Sequence, residues 1–144
     1  LSKIPDGGAI VMAVAALEIL GMAEHIAQVL DIDVAVPMVG QGSVAVEARS
    51  DDMTTLEILS AIDHVASRYA VETERAFLAE LGAGCSLPVG AHLTKDGVFH
   101  AFMATDDCSD SVQLVGSIGD TDDNLAVGIA AAHECRTRLA EVTE

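Results

Sequence analysis

Residues 89–117 read VGAHLTKDGVFHAFMATDDCSDSVQLVGS, and the fold turns on this stretch. Val89–Thr94, Val98–Ala104 and Ser111–Ser117 are β-like runs bounded by turn signals. Lys95-Asp96-Gly97 reads as a hairpin between the first two, and Asp106–Asp110 as an acidic turn before the third. Toward the C-terminus, Leu125, Ile129, Ala132, Cys135, Leu139 and Val142 recur at helical spacing, behind a cap somewhere in Asp120–Asp123. Toward the N-terminus, a helix over about Ala66–Leu81 places Tyr69 or Ala70, Thr73, Phe77 and Leu81 on one side, and Gly82 stands where a helix-ending glycine belongs. These elements predict an α+β unit over residues 64–144: a three-stranded antiparallel sheet with helices packed on one face.

Further upstream the elements are shorter. Asp51 and Asp52 are N-cap candidates for a helix whose apolar side is Met53, Leu56, Leu59 and Ile62. Ser43–Ala48 alternates in the manner of a strand, with Val44 and Val46 on one face, and Gly40-Gln41-Gly42 before it is a turn. Pro37 excludes a helix interior between Asp31 and Val39. Met22–Leu30 has helical spacing, Ala15–Gly21 reads as a helical turn closing on glycine, and residues 9–14 (AIVMAV) as a buried strand.

The 144 residues suffice for one ordinary domain or for pieces of two small ones. Half the chain is hydrophobic, yet only three Phe and one Tyr are aromatic, so the core must be built mainly from Ala, Val, Leu and Ile. No apolar run reaches the roughly 20 residues that a membrane span needs, and no basic region precedes Ala9–Leu17 as a signal peptide would require. The reading is a soluble protein with no membrane partner. With 23 acids against 7 bases, a net charge of −16 and no basic stripe, nucleic-acid binding is not expected. Cys85, Cys108 and Cys135 are an odd set without a CxxC pair, which fits free thiols in a reducing cytoplasm. The first residue, Leu1 rather than Met, points to a fragment, a processed chain or a trimmed one.

Four segments, in order, resemble the hydroxymethylbilane synthase (porphobilinogen deaminase) family. Gly8–Gly21 (GAIVMAVAALEILG) looks like a strand and helix ending in the family's Leu-x-Arg-Leu-Gly, and Val36–Arg49 (VPMVGQGSVAVEAR) like its proline–GQG–strand–arginine segment. Glu72–Leu78 (ETERAFL) resembles the start of its C-terminal domain. Leu81–Ala91 (LGAGCSLPVGA) resembles its cofactor-attachment loop, and the fixed offset between these last two is the specific part of the signal. The resemblance is close from Gly8 to about Leu93 and rests on element order beyond. Two positions depart from the pattern: Ile19 stands where the family has a carboxylate-binding arginine, and Ala16 replaces a glycine.

The resemblance implies a three-domain protein of which this chain is the C-terminal part. Residues 1–36 would be the end of domain 2, 37–63 the returning segment of domain 1 and its connection, and 64–144 the cofactor-carrying domain 3; the first two segments thus close two α/β domains. It further implies that Cys85 holds a dipyrromethane through a thioether. Porphobilinogen units are then added with loss of ammonia, and a linear tetrapyrrole is released. Gln41 would turn its amide toward the cofactor, against a solvated turn residue as the plain alternative; Arg49 would face the cleft or simply pair with Asp51 or Asp52. The partners are porphobilinogen, the growing pyrrole chain and the N-terminal domains. The family's catalytic aspartate and most of its arginines lie upstream, so no catalytic residue is expected here and the chain alone should be inactive. A non-catalytic, free-standing domain that binds a pyrrole or a protein is the competing reading.

The chemistry suits a thiol. Loss of ammonia from an aminomethyl pyrrole leaves an azafulvene-type electrophile, and sulfur is a strong nucleophile even without help. Help is not expected, since Cys85 follows a helix C-terminus, whose dipole disfavours a thiolate. Cys135 lies on the apolar stripe of the last helix and reads as core, and the acids around Cys108 disfavour its thiolate. The pairs His133/Cys135 and His92/His100 do not make a four-ligand zinc set, so no metal is expected.

Overall fold

A computed structural model describes residues 3–82, 87–119 and 123–143. The chain divides into two compact units, Leu1–Asp31 and Ile32–Glu144. The first contains a short helix, α1 (Val14–Ile19), whose Leu17 is its buried residue, and a single 3-10 turn at Ala23–His25. Met22 N–H closes α1 by donating to Leu17 C=O at 2.8 Å, with Gly21 at φ +66° between them. Residues 9–14 do not form the expected strand: Ile10, Val11 and Met12 are exposed, and helix begins at Val14. The helical spacing over Met22–Leu30 yields only the 3-10 turn.

The second unit contains α2 (Met53–Ser60), α3 (Val65–Glu80), β1 (Val89–Leu93), β2 (Val98–Ala104), β3 (Ser111–Ser117) and α4 (Asn124–Val142). The sheet is antiparallel in the order β1-β2-β3, and Gly97, at φ +75°, turns the first hairpin as its sequence demands. Register places Ala91, Ala101 and Leu114 side by side, and likewise Leu93, Phe99 and Gly116. These residues share the face on which the helices lie, α3 over β1 and α4 over β2 and β3. Phe77, Leu81, Ala132 and Cys135 complete a core in which the Phe77 and Phe99 rings meet edge to face, 6.3 Å between centroids. The expected α+β unit is therefore the observed one.

Capping follows the sequence closely. Asp123 accepts from the N–H groups of Leu125 and Ala126 and starts α4. Asp52 starts α2, accepting from the Thr55 N–H at 3.1 Å and hydroxyl at 2.7 Å, and these bonds hold its carboxyl below the usual range. Yet α2 buries nothing: Met53 and Ile62 are exposed, and the helix packs on no other element among the described residues. Ser43–Ala48 keeps its alternation without becoming a strand, and Val44 is 92% exposed. A strand is defined by its ladder, and no partner strand flanks this segment among the described residues.

Candidate functional site

The segment 36–43 runs against β1 before turning away. Ala91 N–H donates to Pro37 C=O at 3.0 Å, across the outer edge of the sheet. Gly90 lies so near the Val36 and Pro37 carbonyls that a Cβ there would stand 2.7 and 3.0 Å from their oxygens. The chain then makes two successive turns. Gln41 N–H bonds Met38 C=O at 2.9 Å, and Ser43 N–H bonds Gly40 C=O at 3.1 Å. Gly40 (φ +72°) and Gly42 (φ +83°) each occupy the third position of a turn, where a type II turn demands positive φ. Gln41, between them, is exposed, and its side chain makes no hydrogen bond among the described residues.

Beside the packing of Val39 against the core, Glu74 ties this turn to α3 through a hydrogen bond. Its carboxylate, only 4% exposed as a residue, divides its two oxygens. Oε2 accepts from Gly40 N–H at 2.7 Å, and Oε1 from Leu93 N–H at 3.0 Å, with His92 Nδ1 3.3 Å away. A buried carboxylate is tolerated only when hydrogen-bonded, and two backbone donors meet that need. The sequence reading missed this residue, because ETER looks like a solvated charge run. The signal was present: Ala70, Glu74, Phe77 and Leu81 are spaced four, three and four, which puts the acid on the buried side of α3.

The other candidates are dispersed. Arg49 is exposed, with Nε 3.5 Å from the equally exposed Asp51, the surface pairing weighed as its plain alternative. Cys85 lies outside the described residues. On its two sides, α3 closes through Gly82 N–H to Ala79 C=O at 3.0 Å, and Pro88 C=O accepts from Ala104 N–H at 3.0 Å as β1 begins. Cys108 is exposed at φ +58° in the acidic turn. Cys135 is fully buried, and burial pushes its thiol up to about 11. Ile19, in place of the expected arginine, closes α1 and is 85% exposed. His100 is buried on the sheet face opposite the core; its Nδ1 lies 3.6 Å from Asp33 and makes no hydrogen bond. Among the described residues no group of three or more His, Cys, Asp or Glu is placed to hold a metal ion.

Residues 68–137 match the family model described as the C-terminal domain of porphobilinogen deaminase, and residues 1–57 match the one described as its dipyromethane cofactor binding domain. This chain belongs to the porphobilinogen deaminase family. The porphobilinogen deaminase of Roseiflexus castenholzii is 40% identical over 131 residues, 90% of this chain and 39% of that protein. That of Pelotomaculum thermopropionicum is 42% identical over 128 residues, 88% of this chain and 41% of that protein. That of Thermobifida fusca is 45% identical over 95 residues, 64% of this chain and 30% of that protein. The chain thus spans about two-fifths or less of the length of these porphobilinogen deaminases. Gln41 and Arg49 fall in the match over residues 1–57, and Glu74 and all three cysteines in the match over residues 68–137. No helix of the described residues is long and apolar enough to cross a membrane.

Proposed function

We propose that this chain is the C-terminal part of a cytoplasmic hydroxymethylbilane synthase, a transferase that condenses porphobilinogen with loss of ammonia onto a dipyrromethane primer carried by Cys85. The observation that carries the reading is LGAGCSLPVGA, Leu81–Ala91, which runs from the end of α3 into β1 at a fixed offset from ETERAFL. On this reading residues 1–36 close domain 2, residues 37–63 return through domain 1, and residues 64–144 are domain 3. The exposed, strand-like Val44 and Val46 support it, since they suit a sheet completed by residues upstream.

The residues present suit the cofactor in kind. Cys85 offers a thiol for a thioether. Gln41, exposed and uncommitted, offers a carbonyl oxygen to a pyrrole N–H and an amide N–H to a carboxylate. Arg49 is a second candidate for the cofactor's carboxylates, because its exposed pairing with Asp51 is weak enough to exchange. When bound, the dipyrromethane supplies the pyrrole carbon to which new units are added. No described residue of this chain is assigned the proton transfers, so the chain alone should not release ammonia from porphobilinogen steadily.

The test is the intact mass of the full-length protein, with peptide mapping of the adduct. Wild type should carry the mass of a dipyrromethane on the Cys85 peptide; Cys85→Ser should lose it, while Cys108→Ser and Cys135→Ala keep it. An adduct on Cys108 or Cys135, or one that persists in Cys85→Ser, sinks the assignment.

A further inference from the structure

We propose that Glu74 is a positioning residue for this site: its carboxylate fixes the turn that carries Gln41 against the edge of β1, and so sets where the Gln41 amide stands toward a bound pyrrole. The inference rests on the function proposed above and adds a residue to it.

Three observations carry it. First, the two carboxylate oxygens serve different parts of the chain, Oε2 the Gly40 N–H and Oε1 the Leu93 N–H. One rigid group therefore sets the distance between the turn and the strand. Second, Glu74 is the one side chain that hydrogen-bonds residues 38–43 among the described residues. Both glycines of that turn have open space around a would-be Cβ; Val39 beside them packs against the core, which anchors the segment without setting the direction of the Gly40 and Gln41 backbone. Third, docking of α3 does not need the charge. Phe77, Leu81, Ala132 and Cys135 already join the helices to the sheet through apolar contact. What the carboxylate adds to that apolar contact is an acceptor for each of two backbone N–H groups, which an apolar side chain would leave unpaired.

Substitution has a definite chemistry here. In Glu74→Gln the amide keeps one oxygen and turns an NH2 donor toward a backbone N–H donor, so either Gly40 or Leu93 loses its acceptor. Glu74→Asp retains the charge but is one methylene too short to serve both.

The experiment uses the full-length protein and four forms: wild type, Glu74→Gln, Gln41→Ala and the double variant. Adduct mass, amide exchange and steady-state kinetics with porphobilinogen are read on each. Glu74→Gln should keep the adduct on Cys85 and exchange its Gly40 or Leu93 amide roughly 10- to 100-fold faster, with the Ala101 amide unchanged. Its kcat should fall about 10- to 100-fold, as expected when a binding group is misplaced. On the Gln41→Ala background, Glu74→Gln should cost almost nothing more, because Glu74 acts through Gln41. Wild-type kcat in Glu74→Gln, or losses that simply multiply in the double variant, would overturn the proposal. If Glu74→Gln does not fold, wild type still decides: a Gly40 amide that exchanges at the rate of free chain overturns it, and a protected one supports it. A wild type without an adduct on Cys85 overturns the function proposed above, and this inference with it.

Discussion

Gly128 of α4 rests against the carbonyl oxygen of Thr73 in α3, a contact between two buried backbones with no side chain between them. A Cβ at Gly128 would also stand 3.0 Å from the Ala76 Cβ and 3.0 Å from the Phe77 nitrogen. The Thr73 hydroxyl donates to Tyr69 C=O at 2.9 Å, so the polar group at this close approach is satisfied within its own helix.

Gly128→Ala should therefore destabilise the protein. Helix propensity alone would favour Ala by about 1 kcal/mol. The added methyl meets backbone atoms, which no rotamer change can move, and overpacking of that kind costs about 1–3 kcal/mol and occasionally more. The net expectation is a loss, read as a lower urea midpoint at unchanged slope. An alanine variant as stable as the parent would mean that the two helices separate freely.

Cys135 makes stability depend on alkaline pH. Burial raises its thiol from 9.0 to about 11, so between these values the unfolded chain ionises the group while the folded chain keeps it protonated. Its contribution is fully present below pH 9 and is lost as pH rises toward 11, at up to about 1.4 kcal/mol per pH unit. Urea unfolding of wild type and Cys135→Ala at neutral pH and above pH 9 checks this. The variant, weaker at neutral pH by about 1 kcal/mol through lost packing, should show the shallower alkaline decline.

Thiol labelling should separate the cysteines in the Cys85→Ser background. Native protein should take up one equivalent of iodoacetamide, on the exposed Cys108, and a second only after denaturation, on the buried Cys135. Mass spectrometry with peptide mapping reads both. Rapid native labelling of Cys135 would contradict its place in the core.

Gly90→Ala should loosen the 36–37 segment from the sheet. Its Cβ would press on the Val36 and Pro37 carbonyl oxygens, and the Pro37 oxygen is the acceptor for Ala91 N–H. The expected result is faster exchange at the Ala91 amide with a stability loss of about 1–3 kcal/mol. An unchanged Ala91 amide would show that the segment follows the strand.

The half of the fold from residue 64 onward was legible because its signals are local. Gly97 and Gly82 take the positive φ that their turns require, Asp123 caps α4, and Thr73, Phe77 and Leu81 face inward as their spacing implies. Residues 9–14, a short apolar run, and 43–48, an alternating one, misled because either pattern makes a strand only when another strand is there to pair with it. On α4, Leu125 and Ile129 were expected in the core but remain partly exposed. The buried line runs through Gly128, Ala132, Cys135 and Leu139 instead, and a glycine carries no hydrophobic signal for a pattern to find. At the candidate site the glycine turn was legible, whereas the role of Glu74 depends on backbone groups 34 and 19 residues away.

Because α4 follows the sheet in the chain and supplies Ala132, Cys135 and Leu139 to the interior, the apolar face of the sheet stays bare until α4 has been synthesised. Domains fold as units during synthesis, and a face left bare in the meantime invites aggregation. A premature stop codon within α4 would leave that state permanent. The message would encode every residue of the loop proposed to carry the cofactor and the turn of Gln41, and yet produce a chain fit for a protease rather than for a stable fold.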